Sequence, residues 1–226
     1  MSVSPSVSPE LTASNNALIS PSVEIAQSDD YPLLHLGILA SGSGSNFEAI
    51  AEAIHQGRLN AKIAVLIYNN PEAKVAERAV RWQVPAVLLN HRDYDSREAL
   101  DEAIIATLRS HQTDWVIMAG WMRRVTAVLI DAFCDRILNI HPSLLPSFPG
   151  IRAVEQALAA GVTITGCTVH HVKLAVDSGP IILQAAVPVL AEDTPVSLQA
   201  RIQVQEHRIY PAAIQLAAQQ ASIFNP

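Results

Sequence analysis

The sequence lacks the features that mark secreted and membrane proteins. Its 226 residues contain two cysteines, Cys134 and Cys167, which form no C-x-x-C pair and no metal-ligand spacing. We therefore expect two buried, reduced thiols and no metal site. No apolar run approaches the length of about 18 residues that a membrane span needs, and the N-terminus lacks the basic and apolar regions of a signal peptide. These absences predict a cytoplasmic protein with no membrane partner.

Positive charge is also scarce. Fifteen Lys and Arg residues against 21 Asp and Glu residues leave a formal net charge of -6. General binding to nucleic-acid phosphates needs a basic surface, so we expect no nucleic-acid partner, although a small site for one anion remains compatible with this charge. Half of the residues are hydrophobic and only 16% are charged, which predicts one domain with a sizeable core.

The order of apolar patterns along the chain predicts a parallel sheet. Residues 1–32 are rich in Ser, Pro and Asn without an apolar period, which predicts a disordered tail before a domain over 33–226. Beyond it, the predicted strands are 34–40, 61–69, 85–90, 114–120 and 136–141. The predicted helices between them are 46–57, 73–83, 96–111 and 124–133. Strand and helix in alternation indicate an α/β fold with helices on both faces of the sheet.

After Gly150 the pattern changes to two neighbouring strands. Residues 162–172 and 180–189 alternate in the manner of strands, and we expect them to add an antiparallel hairpin to the sheet at its C-terminal part. Thr194 and Pro195 form a good cap and first-turn pair for a last helix. Pro211 predicts that this helix is interrupted or kinked.

A glycine-rich turn, "ASGSGSN" at residues 40–46, follows the first predicted strand and precedes a helix. Glycines allow close approach of a ligand to the backbone, and the free N–H groups of a helix N-terminus favour a phosphate or carboxylate. The turn is no P-loop, because no Gly-Lys-Ser/Thr follows, and Gly42-x-Gly44 without a third glycine is a poor dinucleotide fingerprint. A tight structural turn without a ligand is the alternative interpretation.

Polar residues interrupt the apolar run "RILNIHPSLLPSFPG" at Asn139 and His141. Alternate strand residues share a face, so their polar groups can converge on one small group. The prolines that follow predict a stiff, ordered loop instead of a helix. Asp177, in the turn "AVDSGP", can set the tautomer and charge of a histidine. The alternatives are a strand end with two satisfied polar residues and a lone acid in a turn.

The predicted topology places these features on one edge of the sheet. The carboxyl ends of the first strand, of "DWVIMAG" and of "RILNIH" meet there, so the glycine turn, "GWMRRV" and the Asn139/His141 pair should line one cleft. A metal alternative uses His170 and His171, which are adjacent in a strand. Such neighbours point to opposite faces and cannot easily bind one ion, so we expect at most one of them in the cleft.

Five stretches in sequence order carry a resemblance to a known family. They are "SGSGSN", "AGWMRRV", "LNIHPSLLPSFPG", "VDSGPIILQ" and "QVQEHRIYP". With them the chain, from about Leu36 to about Gln215, resembles the phosphoribosylglycinamide formyltransferases, the folate-dependent enzymes of purine synthesis. The resemblance implies a parallel-sheet, Rossmann-like formyltransferase domain, in agreement with the pattern of strands and helices.

The resemblance also implies roles for particular residues. The catalytic trio matches Asn139, His141 and Asp177. The family's binding site for the ribose phosphate of the substrate matches Gly44, Ser45 and Asn46 of this chain. The family's glutamate that contacts the glycinamide end of the substrate matches Glu206. The region that holds the folate matches Arg97, Met122, Arg123, Arg124 and Val125, together with Asn139. Ser147 departs from a lysine of some relatives, which puts a charge contribution there in doubt.

The implied reaction moves a formyl group from the co-substrate 10-formyltetrahydrofolate to the amine of glycinamide ribonucleotide. We expect the enzyme to be a monomer or a homodimer and to need no metal. Two other enzymes share the fold. A formyltetrahydrofolate hydrolase is expected to carry an N-terminal regulatory domain, which residues 1–32 are too short and too polar to form. A methionyl-tRNA formyltransferase is expected to carry a C-terminal domain, for which a chain that ends at Pro226 leaves no room. A noncatalytic nucleotide- or folate-binding protein is opposed by the catalytic trio, and a Rossmann dehydrogenase by the incomplete glycine fingerprint.

Overall fold

The centre of the protein is a mixed β-sheet. The computed structural model describes residues 17–22 and 32–224, and within them the sheet has eight strands. The strands are β1 Ile19–Ser20, β2 Leu34–Ala40, β3 Ala61–Tyr68, β4 Ala86–Leu88, β5 Trp115–Met118, β6 Ile137–His141, β7 Ile164–His171 and β8 Ile181–Pro188. Their order across the sheet is β1-β8-β7-β6-β5-β2-β3-β4.

The sheet divides into a parallel part and an antiparallel part. Strands β6, β5, β2, β3 and β4 pair in parallel, whereas β7 runs antiparallel to both β6 and β8. The predicted parallel sheet with an added antiparallel hairpin is therefore confirmed. Because β2 lies between β5 and β3, its carboxyl end and that of β5 open at the same edge, next to the end of β6.

Helices cover both faces of this sheet, as the alternating pattern predicted. They are α1 Ser45–His55, α2 Val75–Arg81, α3 Arg97–Ser110, α4 Ala127–Ala132, α5 Ala153–Ala159 and α6 Pro195–Phe224. On one face, α1, α2, α5 and α6 share a core with Leu36 and Ile38 of β2. On the other face, α3 and α4 pack on Leu39 of the same strand. Alternate residues of β2 thus enter two different cores, which explains its continuous apolar sequence.

Two helices differ from the prediction near the candidate site. α4 begins at Ala127, three residues later than expected, because Thr126 caps it by accepting a hydrogen bond from the Val128 N–H at 3.2 Å. Residues 121–126 are left as a loop. α5, at Ala153–Ala159, was not predicted. The stiff loop expected after β6 is present, as residues 142–150 contain no helix.

Pro211 does not interrupt the last helix, so that part of the prediction is wrong, while a kink at Pro211 stays a prediction. α6 begins after its expected cap, where Thr194 Oγ1 accepts from the Ser197 N–H at 3.2 Å, and it continues through Pro211 to Phe224. The buried side chains of Tyr210 and Ala213 lie on either side of the proline in sequence, so packing against the sheet offsets the lost backbone hydrogen bond. Neither α6 nor any other helix within residues 17–22 and 32–224 is long and apolar enough to cross a membrane.

Of the predicted tail, residues 1–16 and 23–31 lie outside the described residues, but Ile19 and Ser20 form β1 and pair with Ala185 and Gln184 of β8. These two residues are therefore ordered on the sheet edge, and the boundary of a disordered tail stays a prediction.

The expectation of two buried thiols is half wrong. Cys167 lies in the core, but Cys134 is exposed, because α4 ends at Ala132 and the chain then turns at the surface before β6. Both cysteines are free.

Close pairing of β7 with β8 makes Gly166 indispensable for stability. A Cβ atom at Gly166 would collide with the backbone oxygen of Ala185, and neither strand can retreat without losing its ladder hydrogen bonds. We expect Gly166→Ala to lower the free energy of unfolding by about 3 kcal/mol. Gly161→Ala is the control, since it meets open space at a φ of +65° and should cost only about 1 kcal/mol. Urea unfolding of both variants measures this, and equal losses would contradict the argument.

Candidate active site

The pairing of β6 with β7 brings the polar residues of the site together. In this antiparallel register Asn139 lies opposite His170, and His141 lies opposite Thr168. The amide nitrogen Nδ2 of Asn139 is 3.2 Å from Nε2 of His170. Asn139 and His141 share one face of β6, as their spacing predicted. The register therefore adds His170 to the pair that the sequence singled out.

Asp177 reaches this pair from the connection between β7 and β8. Its backbone has a φ of +50°, a left-handed conformation that aspartate tolerates better than most residues. Its Oδ2 accepts a hydrogen bond from the Gly150 N–H at 2.7 Å and lies 3.3 Å from Nδ1 of His141. The carboxyl group is 9% exposed. The structure thus brings Asn139, His141 and Asp177, the three predicted catalytic residues, into one cluster.

His141 is placed between two acceptors. Its Nε2 lies 2.8 Å from the backbone oxygen of Phe148, which can only accept, so Nε2 carries a proton. Its Nδ1 faces the carboxylate of Asp177. Because the carboxylate also accepts, the arrangement suits an imidazolium with both nitrogens protonated. Phe148 itself has a φ of +55°, so the loop holds its carbonyl in place by a strained backbone.

His170 is the neutral histidine of the site. Its Nδ1 lies 2.9 Å from the backbone oxygen of His171, so Nδ1 donates and Nε2 is left to accept from the Asn139 amide. Burial lowers the pKa of His170 below its ordinary value. Its Nε2 is also 3.7 Å from Asp177, but a neutral ring whose Nε2 accepts from Asn139 forms no ion pair with that carboxylate. His170 therefore orients Asn139.

His171 lies on the opposite face of β7. Its ring is tilted against that of Trp115, with 6.4 Å between their centroids. This answers which of the two adjacent histidines belongs to the site, a choice that the sequence left open. Among residues 17–22 and 32–224, no group of three His, Cys, Asp or Glu side chains could hold a metal ion.

A buried hydrogen-bond network supports the loop after β6. Thr168 Oγ1 donates to the backbone oxygen of Ser143 at 2.7 Å and accepts from the Leu145 N–H at 3.0 Å. Gln184 Nε2 donates to Thr168 Oγ1 and to the Leu145 oxygen. Sequence reasoning missed Thr168 and Gln184. The sequence shows them only as single polar residues within two otherwise apolar strands, which is too weak a pattern to indicate a shared network. The network holds the loop that carries Phe148. Ser147, by contrast, is an exposed residue of this loop.

The glycine turn forms the N-terminus of α1. Gly44 has a φ of +76° and precedes Ser45, the first helical residue, and no side chain caps the helix. A Cβ atom at Gly44 would also collide with Val75 of α2, so glycine is needed there for two reasons. The first N–H groups of α1 therefore point outward at an uncapped helix end, which suits an anion.

Asn46 and Glu206 meet beside this turn. Asn46 Nδ2 donates to Glu206 Oε2 at 2.9 Å, across 160 residues of sequence, and both side chains are buried. Burial raises the pKa of Glu206 above its ordinary value, opposed by the hydrogen bond from Asn46. Asn46 Oδ1 is buried without a hydrogen-bond partner among the described residues. One turn later in α6, the Tyr210 hydroxyl lies 3.1 Å from the Met118 oxygen and 3.2 Å from the Leu138 oxygen.

The loop after β5 lies directly against the glycine turn. The Ser41 N–H donates to the Gly120 oxygen at 3.0 Å, and the Met122 N–H donates to Ser41 Oγ at 2.9 Å. Met122 is 80% exposed. The other residues that the resemblance assigns to folate share this rim: Arg124 is exposed, whereas Arg123 and Val125 are half-buried.

Arg97 belongs to the same side of the molecule. It is exposed at the start of α3, one turn before Asp101. Asp101 accepts from the Thr126 N–H at 2.6 Å and so fixes the start of α3 beside the loop at residues 121–126. Burial raises the pKa of Asp101 despite this hydrogen bond. The predicted cleft residues therefore lie along one sheet edge.

Comparisons with known proteins agree with this geometry. Residues 35–214 match the formyl transferase family. The chain is 43% identical over 177 residues to a phosphoribosylglycinamide formyltransferase of Bacillus subtilis, covering 78% of this chain and 91% of that relative. It is also 43% identical over 183 residues to the human trifunctional purine biosynthetic protein adenosine-3, covering 81% of this chain and 18% of that protein.

Solved structures show the same fold. A glycinamide ribonucleotide transformylase from Symbiobacterium toebii is 49% identical with a TM-score of 0.82, covering 83% of this chain and 89% of that one. A phosphoribosylglycinamide formyltransferase from Bacillus halodurans is 44% identical with a TM-score of 0.80, covering 83% and 96%. The resemblance first read from five short stretches is confirmed, and the chain belongs to the formyl transferase family.

Proposed function

We propose that the protein transfers the formyl group of 10-formyltetrahydrofolate to the amine of phosphoribosylglycinamide, giving formylglycinamide ribonucleotide and tetrahydrofolate in purine biosynthesis. The relatives named above support the acceptor and the pathway. The observation that carries the chemistry is the contact of His141 with Asp177 beside Asn139, on one face of the sheet edge. These groups can act on a tetrahedral carbon without a metal.

Asn139 is suited to stabilise the oxyanion. Attack of the amine on the formyl carbon places negative charge on the formyl oxygen, and a donor must already point at it. The amide nitrogen of Asn139 has two hydrogens, of which one is directed to His170. The second remains for the oxyanion. A single preorganised donor of this kind contributes a factor of about 10² to 10³ in rate.

His141 and Asp177 are suited to move the proton. The attacking amine loses one proton and the departing N10 nitrogen of the folate gains one, so the site needs an acid and a base. Asp177 stabilises the imidazolium of His141 through Nδ1. The Nε2–H of His141 currently donates to Phe148, so donation to the substrate requires that it leave this carbonyl.

The N-terminus of α1 is suited to hold the ribose phosphate. Ser45 and Asn46 supply uncapped backbone N–H groups next to the glycine turn. The resemblance assigns Glu206 to the glycinamide end of the substrate. Its hydrogen bond with Asn46 supports a second role for Glu206, in which it orients the Asn46 amide.

The loop after β5 is suited to hold the folate. The exposed side chain of Met122 offers apolar surface for a ring system, and Arg97 and Arg124 are exposed cations for the acidic tail of a folate. Val125 and Arg123 complete this rim. The rim contacts the glycine turn through Ser41, and Asn139 lies opposite Met118 at the end of β5, so the donor and the acceptor can meet beside Asn139.

A direct assay tests the proposed function. The purified protein is mixed with 10-formyltetrahydrofolate, with and without phosphoribosylglycinamide, and release of tetrahydrofolate is followed by absorbance. We expect release only with both substrates, together with formylated product by mass spectrometry. Release without the amine would identify a hydrolase and overturn the proposal.

Removal of the proton-moving groups should reduce turnover and leave binding. His141→Ala and Asp177→Asn should each lower kcat by about 10² to 10⁴, because positioned acid and base are lost. Asparagine at 177 tolerates the left-handed backbone, so the fold should persist. KM for either substrate should change by less than about threefold.

His171→Ala is the matched control for His141, because it removes a ring on the opposite face of the sheet. It should keep kcat within about twofold. Equal losses of binding and turnover in His141→Ala would assign that residue a structural role instead.

The buried carboxyl group of Glu206 predicts a pH-dependent stability. Burial raises its folded pKa above the ordinary 4.5, so the stabilisation from its protonated form is complete below that value and disappears as pH rises through the folded pKa. Glu206→Gln cannot ionise and keeps an oxygen for Asn46. The Tm of this variant should therefore exceed that of the native protein at pH 8, and the difference should shrink towards pH 4.5.

Glu102→Gln on the exposed face of α3 is the control, since water solvates that carboxylate in the folded protein. Thermal unfolding between pH 4.5 and pH 8 compares the variants. A constant difference across this range for Glu206→Gln would show that Glu206 is ionised throughout and would contradict a raised pKa of its carboxyl group.

A further inference from the structure

The glycine turn rests against α2 as well as α1. The Val75 N–H at the start of α2 donates to the Gly42 oxygen at 3.1 Å, and the Val75 side chain fills the space beside Gly44. These contacts hold Gly42 and Gly44 against the start of α2. They do not fix Ser43, the residue between the two glycines.

Arg78, one turn later in α2, provides that contact. Its Nε donates to the backbone oxygen of Ser43 at 2.7 Å, and its Nη1 donates to Glu48 Oε2 at 2.5 Å. Glu48 lies in the first turn of α1 and also accepts from Arg81 Nη2 at 2.7 Å and from Trp82 Nε1 at 2.8 Å. One guanidinium therefore joins the turn, α1 and α2.

We propose that Arg78 is a positioning residue for the phosphate seat, because it joins the Ser43 carbonyl to Glu48 and so holds the glycine turn and the free N–H groups of α1 in one orientation. This inference rests on the proposed function, since it concerns how the same seat recognises the phosphate of the acceptor. Two edges of the guanidinium are occupied by Ser43 and Glu48, so Arg78 acts through the turn.

Charge adds to this effect. Arg78 places its positive charge directly behind an uncapped helix N-terminus, whereas the side chain of Arg81 is 56% exposed, so that solvent screens its charge. The charge of Arg78 and the helix dipole both favour a phosphate dianion over a neutral group. The seat should therefore discriminate for phosphate through Arg78, and a lysine, which lacks the planar fork, cannot hold both acceptors.

Arg78 can be replaced without opening the core. Its side chain is 29% exposed and lines a cavity of about 380 Å³ between α1, α2 and α6. Loss of the side chain enlarges this open cavity. Arg81 is a matched neighbour: it also contacts Glu48 Oε2 and lies on the same helix, but it makes no contact with the glycine turn.

The test compares Arg78→Ala, Arg78→Lys and Arg81→Ala on phosphoribosylglycinamide and on the same compound without its phosphate. Arg78→Ala should raise KM for the phosphorylated acceptor about tenfold, with kcat and the KM for the folate within about twofold. Turnover of the dephosphorylated acceptor should be unchanged. Arg78→Lys should fall between the native protein and Arg78→Ala, and Arg81→Ala should change KM by less than about twofold.

Hydrogen exchange of the amides of residues 42–47 gives a readout that does not need turnover. It should be faster in Arg78→Ala and unchanged in Arg81→Ala. Equal losses on both acceptors, equal effects of Arg78→Ala and Arg81→Ala, or unchanged exchange would each overturn the inference. A native protein that does not formylate phosphoribosylglycinamide would overturn the proposed function, while exchange would still decide whether Arg78 holds the turn.

Discussion

The register between β6 and β7 is the constraint on which the site depends. It places Asn139 opposite His170 and His141 opposite Thr168. Because side chains alternate between the faces of a sheet, a slip by one residue would turn His170 away and bring His171 in its place. The same strand pair leads into the connection that returns Asp177 to His141. One set of backbone hydrogen bonds thus determines both the tautomer of His170 and the charge partner of His141.

Helix α6 connects this chemistry to the proposed phosphate seat. Glu206 contacts Asn46 at the start of α1, and Tyr210, one turn later, lies within hydrogen-bond distance of backbone oxygens of β5 and β6. These polar contacts are buried, where unpaired groups are costly, so the position of α6 is determined by them as well as by apolar packing. Pro211 follows immediately, and the contacts around it explain why the helix continues there.

Much of the fold was predictable because its signals are local. Apolar runs bounded by turn residues identified the strands β2, β3, β5 and β6, and Thr194 marked the start of α6. Two elements were not predicted: α5, which follows the proline-rich loop after β6, and β1, whose two residues lie within the Ser- and Pro-rich segment before Leu34. The helix continues through Pro211 because of packing against distant strands, whereas Cys134 is exposed because the chain turns at the surface after α4.

The sequence by itself determined which chemical groups are available and which pairs share a strand face, since the two-residue period places Asn139 and His141 together in any sheet. It could not determine which groups from other elements meet them. The contact of Asn46 with Glu206 spans 160 residues, and that of Arg78 with the Ser43 carbonyl crosses from α2 to the glycine turn. Only the tertiary structure decided these contacts, because side-chain hydrogen bonds of this kind depend on packing angles between elements, which no local pattern encodes.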